Sequence, residues 1–189
     1  GDPKDKIILY NKIKMAEGAS SNREYDEALM RLNEVIEEDP GIMEARQVRA
    51  TIYLQLDRAE EAAEECKEAL KIDPEYTGAI FTLALAYKKL KKYDEAIAGF
   101  ERAIQLDARD PKPHVNLGEL YLDTKDLDRA IIHFEQAIAI DPEHSSLAHV
   151  NLGAAFLEKK MLDRAEQELL KALELRPRIR DAHHNLGLL

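Results

Sequence analysis

One stretch constrains this chain more than any other: Pro111 to His144, PKPHVNLGELYLDTKDLDRAIIHFEQAIAIDPEH, because it comes back. Shifted 34 residues toward the N-terminus, its Leu117, Gly118, Tyr121, Ala130, Phe134 and Ala137 land on Leu83, Ala84, Tyr87, Ala96, Phe100 and Ala103. Shifted 35 residues forward, they land on Leu152, Gly153, Phe156, Ala165, Leu169 and Ala172. A fixed period of this length belongs to stacked repeats, where one unit cannot bury its own apolar face and its neighbours cover it. Small residues as anchors place the units at 9–42, 43–76, 77–110, 111–144 and 146–179, with a partial sixth over 180–189. On this reading 1–189 is a single solenoid, and Ser145 is its one inserted residue.

Each unit holds two apolar-periodic segments of helix length. In the fourth, Pro111 to Asp123 is expected as helix A and Leu127 to Ile140 as helix B. Pro40, Pro74, Pro142 and Pro177 follow the B segments, where proline cannot continue a helix. Ala108 replaces the proline in the third unit, and Asp110-Pro111 supplies an N-cap with Pro at the first helical position. Asp26, Glu60, Asp94, Asp128 and Asp163 open the B segments, where an acid complements the helix dipole. Ala16, Ala50, Ala84, Gly118, Gly153 and Gly187 share one helix-A position, and Ala28, Ala62, Ala96, Ala130 and Ala165 one helix-B position. Side chains this small let paired helices approach closely, with Tyr53, Tyr87, Tyr121, Phe156, Phe100 and Phe134 filling the space on either side.

Composition narrows the function classes. The 37 acidic residues outnumber 27 basic ones for a net charge of −10, which argues against DNA or RNA as partner. No apolar run reaches the roughly 18 residues that span a bilayer, and the N-terminus lacks the basic start and apolar core of a secretory signal. A single cysteine, Cys66, excludes an internal disulfide framework; it fills the slot of Phe100 and Phe134 and reads as a small buried apolar residue.

The recurring residues resemble the tetratricopeptide repeat (TPR) family: a large residue at repeat position 4, Leu-Gly at 7–8, Tyr at 11, Ala at 20, Phe at 24, Ala at 27 and Pro at 32. The match covers nearly the whole chain and is best in the third to fifth units. It departs from the pattern at Ala19, where Tyr is expected, and at Arg49, where Leu is expected. The resemblance implies an all-α, right-handed superhelical solenoid of helix-turn-helix hairpins, with A helices lining a concave groove.

No catalytic constellation appears: there is no Gly-rich phosphate loop with Lys, no H-E-x-x-H and no G-x-S-x-G. Neither enzyme activity, cofactor nor metal is expected. His114, His149 and His183 recur a whole repeat apart at the bulky fourth position, too far to share an ion. Ser145-Ser146 beside His144 reads as a linker with a helix cap. Asn116, Asn151 and Asn185 recur within H-x-N-L-G at position 6, which faces the groove in the family. A carboxamide offers one acceptor and two donors, and so can pair with both backbone groups of an extended peptide.

Other groove positions carry Phe81, Leu85, Lys88, Lys112, Val115, Glu119 and Val150, with Tyr10, Ile13, Glu17, Glu44 and Val48 in the first two units. Apolar anchors among charges of both signs suit a peptide or helix ligand, for which a few anchors dominate affinity. The carboxylate clamp of some TPR domains would need Lys and Asn at positions 5 and 9; those positions hold Ile13/Glu17, Gln47/Thr51, Phe81/Leu85 and Val115/Glu119. Lysines such as Lys91, Lys125 and Lys160 gather at the A–B turns, where cations offset the dipole. The chain begins at Gly1 without Met and stops at Leu186-Gly187-Leu188-Leu189, inside a sixth helix A. It is therefore expected to be a segment of a larger protein, able to self-associate through that apolar end.

Overall fold

The computed structural model describes residues 3–189, and among them finds eleven helices and no strand. Gly1 and Asp2, where the lead-in begins, lie outside the described residues. The helices are α1 (Pro3–Ser21), α2 (Tyr25–Glu38), α3 (Met43–Gln55), α4 (Ala59–Ile72), α5 (Thr77–Lys89), α6 (Tyr93–Leu106), α7 (Pro111–Asp123), α8 (Leu127–Ile140), α9 (Ser146–Glu158), α10 (Leu162–Leu175) and α11 (Arg180–Leu186). From α3 onward every A helix starts at the first residue of its repeat. Only α1 departs, starting six residues ahead of the expected Leu9.

The chain divides into two compact units, residues 1–102 and 103–189, with the boundary inside α6. In the first unit α1 pairs with α2 and α3 with α4, and α3 packs against both α1 and α5. In the second, α7 pairs with α8 and α9 with α10, while α9 lies against α7 and α11. Within each unit these A helices touch their own B helix and the next A helix, which is the arrangement a stack requires.

The small residues explain the pairing. Ala16, Ala28, Ala50, Ala62, Ala84, Ala96, Ala130 and Ala165 are fully buried at 0% exposure. A Cβ placed on Gly118 would lie 2.5 Å from Cε1 of Phe134, and one on Gly153 would lie 2.8 Å from Cγ of Leu169. In the third repeat the bare position moves to helix B, where a Cβ on Gly99 would lie 2.8 Å from that of Ala84. Contacts this close exclude any larger side chain without moving a helix.

The A–B turns share one geometry. Arg23, Asp57, Lys91, Lys125 and Lys160 all have φ between 58° and 65°. In each turn the next residue's N–H reaches back five residues to a carbonyl, as in Arg58 N to Tyr53 O at 2.8 Å and Lys92 N to Tyr87 O at 2.9 Å. This is the Schellman end of a helix, here built on non-glycine residues. The B–A loops repeat too: carboxylates of Asp39, Asp73 and Asp107 accept the N–H two residues on, at 3.0, 2.9 and 3.0 Å. Asp110 caps α7 through the Lys112 N–H at 2.9 Å, with Pro111 at N1.

Arg49, standing where a leucine is expected, enters a polar junction. Its guanidinium donates to Asn33 Oδ1 and to Glu65 Oε1, each at 2.6 Å, and Arg46 reaches Glu65 Oε2 at 3.5 Å. One carboxylate thus serves two largely buried arginines.

Two glycines separate packing from propensity. Gly118→Leu is expected to lower stability by about 1–3 kcal/mol through overpacking. Gly18→Ala is expected to raise it by about 0.5–1 kcal/mol, because an added Cβ there meets nothing within 4 Å. Urea unfolding followed by circular dichroism reads both.

Candidate functional site

The second unit holds a cleft of about 410 Å³ against helix α7. Lys112, Asn116 and Glu119 stand one turn apart along a single face of α7, with Val115 beside them. Across from them lie Asp141, His144 and Ser145 of the α8–α9 loop, then Leu147 and Ala148 of α9. Leu147 is 47% exposed, an apolar handle at the cleft edge that sequence reasoning missed. It occupies repeat position 2, as Lys112 does, and that equivalence was the available signal.

Both described carboxamides of the cleft region already have partners. Asn116 Nδ2 donates to the carbonyl of Lys112 at 3.0 Å, one turn back on its own helix. Asn151 Nδ2 donates to Glu119 Oε1 at 3.2 Å and so ties α9 to α7. Asn185 is half-buried on α11. A peptide backbone reaching Asn116 or Asn151 therefore exchanges hydrogen bonds instead of meeting idle donors. On the far wall, Asp141 accepts from the His144 N–H at 3.2 Å and lies 3.0 Å from its Nδ1. That side-chain bond raises the His144 pKa and lowers that of Asp141.

Two expectations in this region are corrected. Val150, expected as an apolar anchor, is only 3% exposed and packs with Leu169, Ala172, Ile179 and Ala182, because α11 and α10 close over it. Ser145 occupies the N-cap position of α9 but makes no side-chain cap; its hydroxyl turns back to donate to the Pro142 carbonyl at 2.9 Å.

Phe81, Leu85 and Lys88 lie on α5 in the first unit, so they do not join the α7 cleft. All three are half-buried. The Phe81 ring tilts against Phe100 at 5.6 Å between centroids, and Leu85 packs into the alanine-rich cluster around Cys66. Ile13 and Val48, also expected on the accessible face, are buried at 1% and 8% exposure beneath neighbouring helices. What this unit presents is polar. A cleft of about 250 Å³ between α1 and α3 is lined by Glu17, Ser20, Gln47, Thr51 and Gln55. Within it, Gln47 Nε2 lies 3.3 Å from both Thr51 Oγ1 and Thr82 Oγ1. Gln47 and Thr51 sit at repeat positions 5 and 9, those of the absent carboxylate clamp, and Thr82 at position 6, that of the asparagines.

The histidines pair across hairpins. His114 and His133 face each other, Nδ1 to Nδ1 at 3.1 Å, and the Tyr121 ring stacks on His133 at 5.5 Å. His149 meets Glu168 at 2.6 Å. Burial lowers the pKa of His114; burial, His114 and Arg129 together push His133 down to about 4. Cys66 is buried, and its thiol is pushed up to about 12 by burial and by Glu65, which removes its nucleophilic character at neutral pH. Among the described residues no three His, Cys, Asp or Glu side chains are grouped to hold a metal ion, and no helix is long and apolar enough to cross a membrane.

Hairpins of this length, closed at one small residue and stacked A helix on A helix, define a helical-repeat protein. The tetratricopeptide repeat model matches residues 76–143 and 111–178, together more than half of the sequence, and the chain belongs to the tetratricopeptide repeat family. The model for subunit 3 of the anaphase-promoting complex, or cyclosome, matches residues 21–103. No curated protein sequence matches the chain. Among solved structures, TTC0263, a TPR protein of Thermus thermophilus, is 24% identical over 95% of this chain and 97% of its own, with a TM-score of 0.79. YrrB, described as a TPR protein with an unusual peptide-binding site, is 25% identical over 92% of this chain and 89% of its own, with a TM-score of 0.68. The Cut9–Hcn1 assembly of the anaphase-promoting complex is 19% identical over 93% of this chain and 35% of that one, with a TM-score of 0.84. Membership of this family makes the chain a protein-interaction module, and the solved structures share its fold.

The His114–His133 contact has a pH signature. A histidine whose folded pKa is depressed binds fewer protons folded than unfolded, so its contribution is complete above about pH 6.5 and is lost as pH falls toward about 4. The melting temperature is expected to fall between pH 7 and 5, and to fall less steeply in His133→Phe. Parallel slopes for the two proteins would remove the pair as the cause.

Proposed function

We propose that this chain is a non-catalytic module that binds an extended peptide segment of a partner protein in the α7 cleft of its second unit. The observation that carries the reading is the convergence of Lys112, Val115, Asn116 and Glu119 on one cleft with the exposed Leu147. An apolar side chain of the ligand occupies the space between Val115, Ala148 and Leu147. Asn116 turns from the Lys112 carbonyl to the ligand backbone, and Asn151 releases Glu119 to do the same one repeat on; Asn185 extends the series. Lys112 at one end and Glu119 toward the other give the ligand a polarity, and charged rims of this kind set orientation and on-rate more than affinity. A likeness to YrrB, whose structure is described by its peptide-binding site, agrees with this reading.

The test is a peptide-library selection on the intact chain, with selected peptides measured by calorimetry against an Asn116→Ala/Asn151→Ala variant. Loss of about 0.5–1.5 kcal/mol for each hydrogen bond removed is expected, with the melting temperature unchanged. Leu147→Asp should abolish binding. Equal affinity for the parent and both variants would place the site elsewhere.

A further inference from the structure

We infer that the segment bound in the α7 cleft carries a run of aspartates or glutamates, and that the α10–α11 loop holds this run with three arginines; the assignment rests on the α7 reading. The loop departs from its own repeat. After α2, α4, α6 and α8 the chain places Asp39, Asp73, Asp107 and Asp141, each accepting a nearby backbone N–H. After α10 it runs Arg176-Pro177-Arg178-Ile179-Arg180. Arg176 and Arg178 thus stand where Asp73 and Glu75 follow α4, and where Asp141 and Glu143 follow α8, which reverses the local charge. Other bonds hold the loop in place of the lost carboxylate. Ile179 is buried at 8% exposure, its N–H reaches the Arg176 carbonyl at 3.1 Å, and His183 Nε2 lies 2.9 Å from the Pro177 carbonyl. Arg176, Arg178 and Arg180 are exposed, and their guanidinium groups have no acidic partner among the described residues; Glu174 and Asp181 flank the loop without pairing to it. Arg46, Arg49, Arg58, Arg129 and Arg164, by contrast, each hold a carboxylate of this chain.

The loop stands in line with the cleft. Because α9 lies against both α7 and α11, the loop that starts α11 follows the loop that starts α9 along one edge of the second unit. Asp141, His144 and Ser145 of that earlier loop form the far wall of the cleft. Asn185 carries onto α11 the repeat position held by Asn116 and Asn151. Packed helices lie about 8–10 Å apart and an extended chain advances about 3.3 Å per residue, so a ligand crosses one A helix in about three residues. An acidic run set about three to six residues from the side chain seated between Val115 and Leu147 therefore reaches the arginines. Each guanidinium offers a carboxylate a planar fork of donors. A short acidic run is favoured over a nucleic acid or an anionic membrane. Screening confines what it senses to charges within about 8 Å, whereas a polyanion reaching past the loop meets the rest of a chain of net charge −10.

The test selects random peptides of about 16 residues, long enough to cross both A helices, in parallel on the whole chain and on its Arg176→Gln/Arg178→Gln variant. Circular dichroism should show the variant folded, since neither side chain has a partner to lose. From the parent, the pool is expected to join an apolar position to aspartates or glutamates about three to six residues away. From the variant, it should keep the apolar position and lose the acids. By fluorescence anisotropy the tightest parent peptide should bind the variant about tenfold more weakly at about 50 mM salt, and within about twofold at about 500 mM. Its counterpart with amides in place of the acids should bind both proteins alike. An apolar position without acids, or acids that persist on the variant, would overturn the inference and leave the α7 reading standing. Acids without an apolar position, bound by Leu147→Asp as well as by the parent, would overturn the α7 reading and the shared ligand with it. An empty pool would overturn both. Retention on heparin or on phosphatidylserine vesicles through the same arginines, with no acidic peptide selected, would overturn the inference in favour of a polyanion.

Discussion

The fold depends on how closely two helices of a hairpin can approach at one bare position. Where helix A offers Gly118, helix B fills the gap with the Phe134 ring; where it offers Gly153, Leu169 takes that place. The third repeat reaches the same separation with Ala84 on helix A and Gly99 on helix B. The requirement is therefore on the pair and not on either residue. Burying a ring at 0% exposure on a surface without a Cβ maximises dispersion contact, and leaves no slack for sliding.

Hairpins so closed still need their ends fixed, and the backbone does this with two devices. The A–B turn uses a left-handed residue at all five positions, a conformation costing an L-residue about 1–2 kcal/mol that the turn's reach-back hydrogen bond helps offset. The B–A loop uses an aspartate that accepts a nearby N–H, and then a new helix begins. Together they determine which A-helix residues face outward. Lys112, Asn116 and Glu119 share a cleft wall because α7 starts at the capped Pro111 and at no other residue.

The repeat period made the hairpins legible, and with them the helix starts at Met43, Thr77, Pro111, Ser146 and Arg180. It was blind wherever an A helix lies beneath its successor. Val150 and Ile13 occupy a position that is half-exposed at Val115 and Phe81, and only the neighbouring helix decides between the two states. Partners across a hairpin were equally hidden. His114 finds His133 and His149 finds Glu168, each nineteen residues on, a spacing that means nothing until two antiparallel helices are paired. Arg49 looked like a defect in the repeat and is the centre of a polar junction with Asn33 and Glu65. Ser145 kept the residue type of a cap but spent its hydroxyl on Pro142.

A fold of this kind separates stability from recognition. The buried small and aromatic residues hold the hairpins, while the outward positions vary without touching that contact: carboxamides and a leucine at α7 and α9, a hydroxyl and a glutamine at α3. The measurement that tests this most directly is a double-mutant cycle moving the second repeat's pair, Ala50 with Cys66, into the fourth as Gly118→Ala and Phe134→Cys. If close approach governs the pairing, shrinking Phe134 relieves the clash of the new Cβ, and the double variant is more stable than the sum of the singles by about 1 kcal/mol or more. Additivity within about 0.5 kcal/mol would contradict the account.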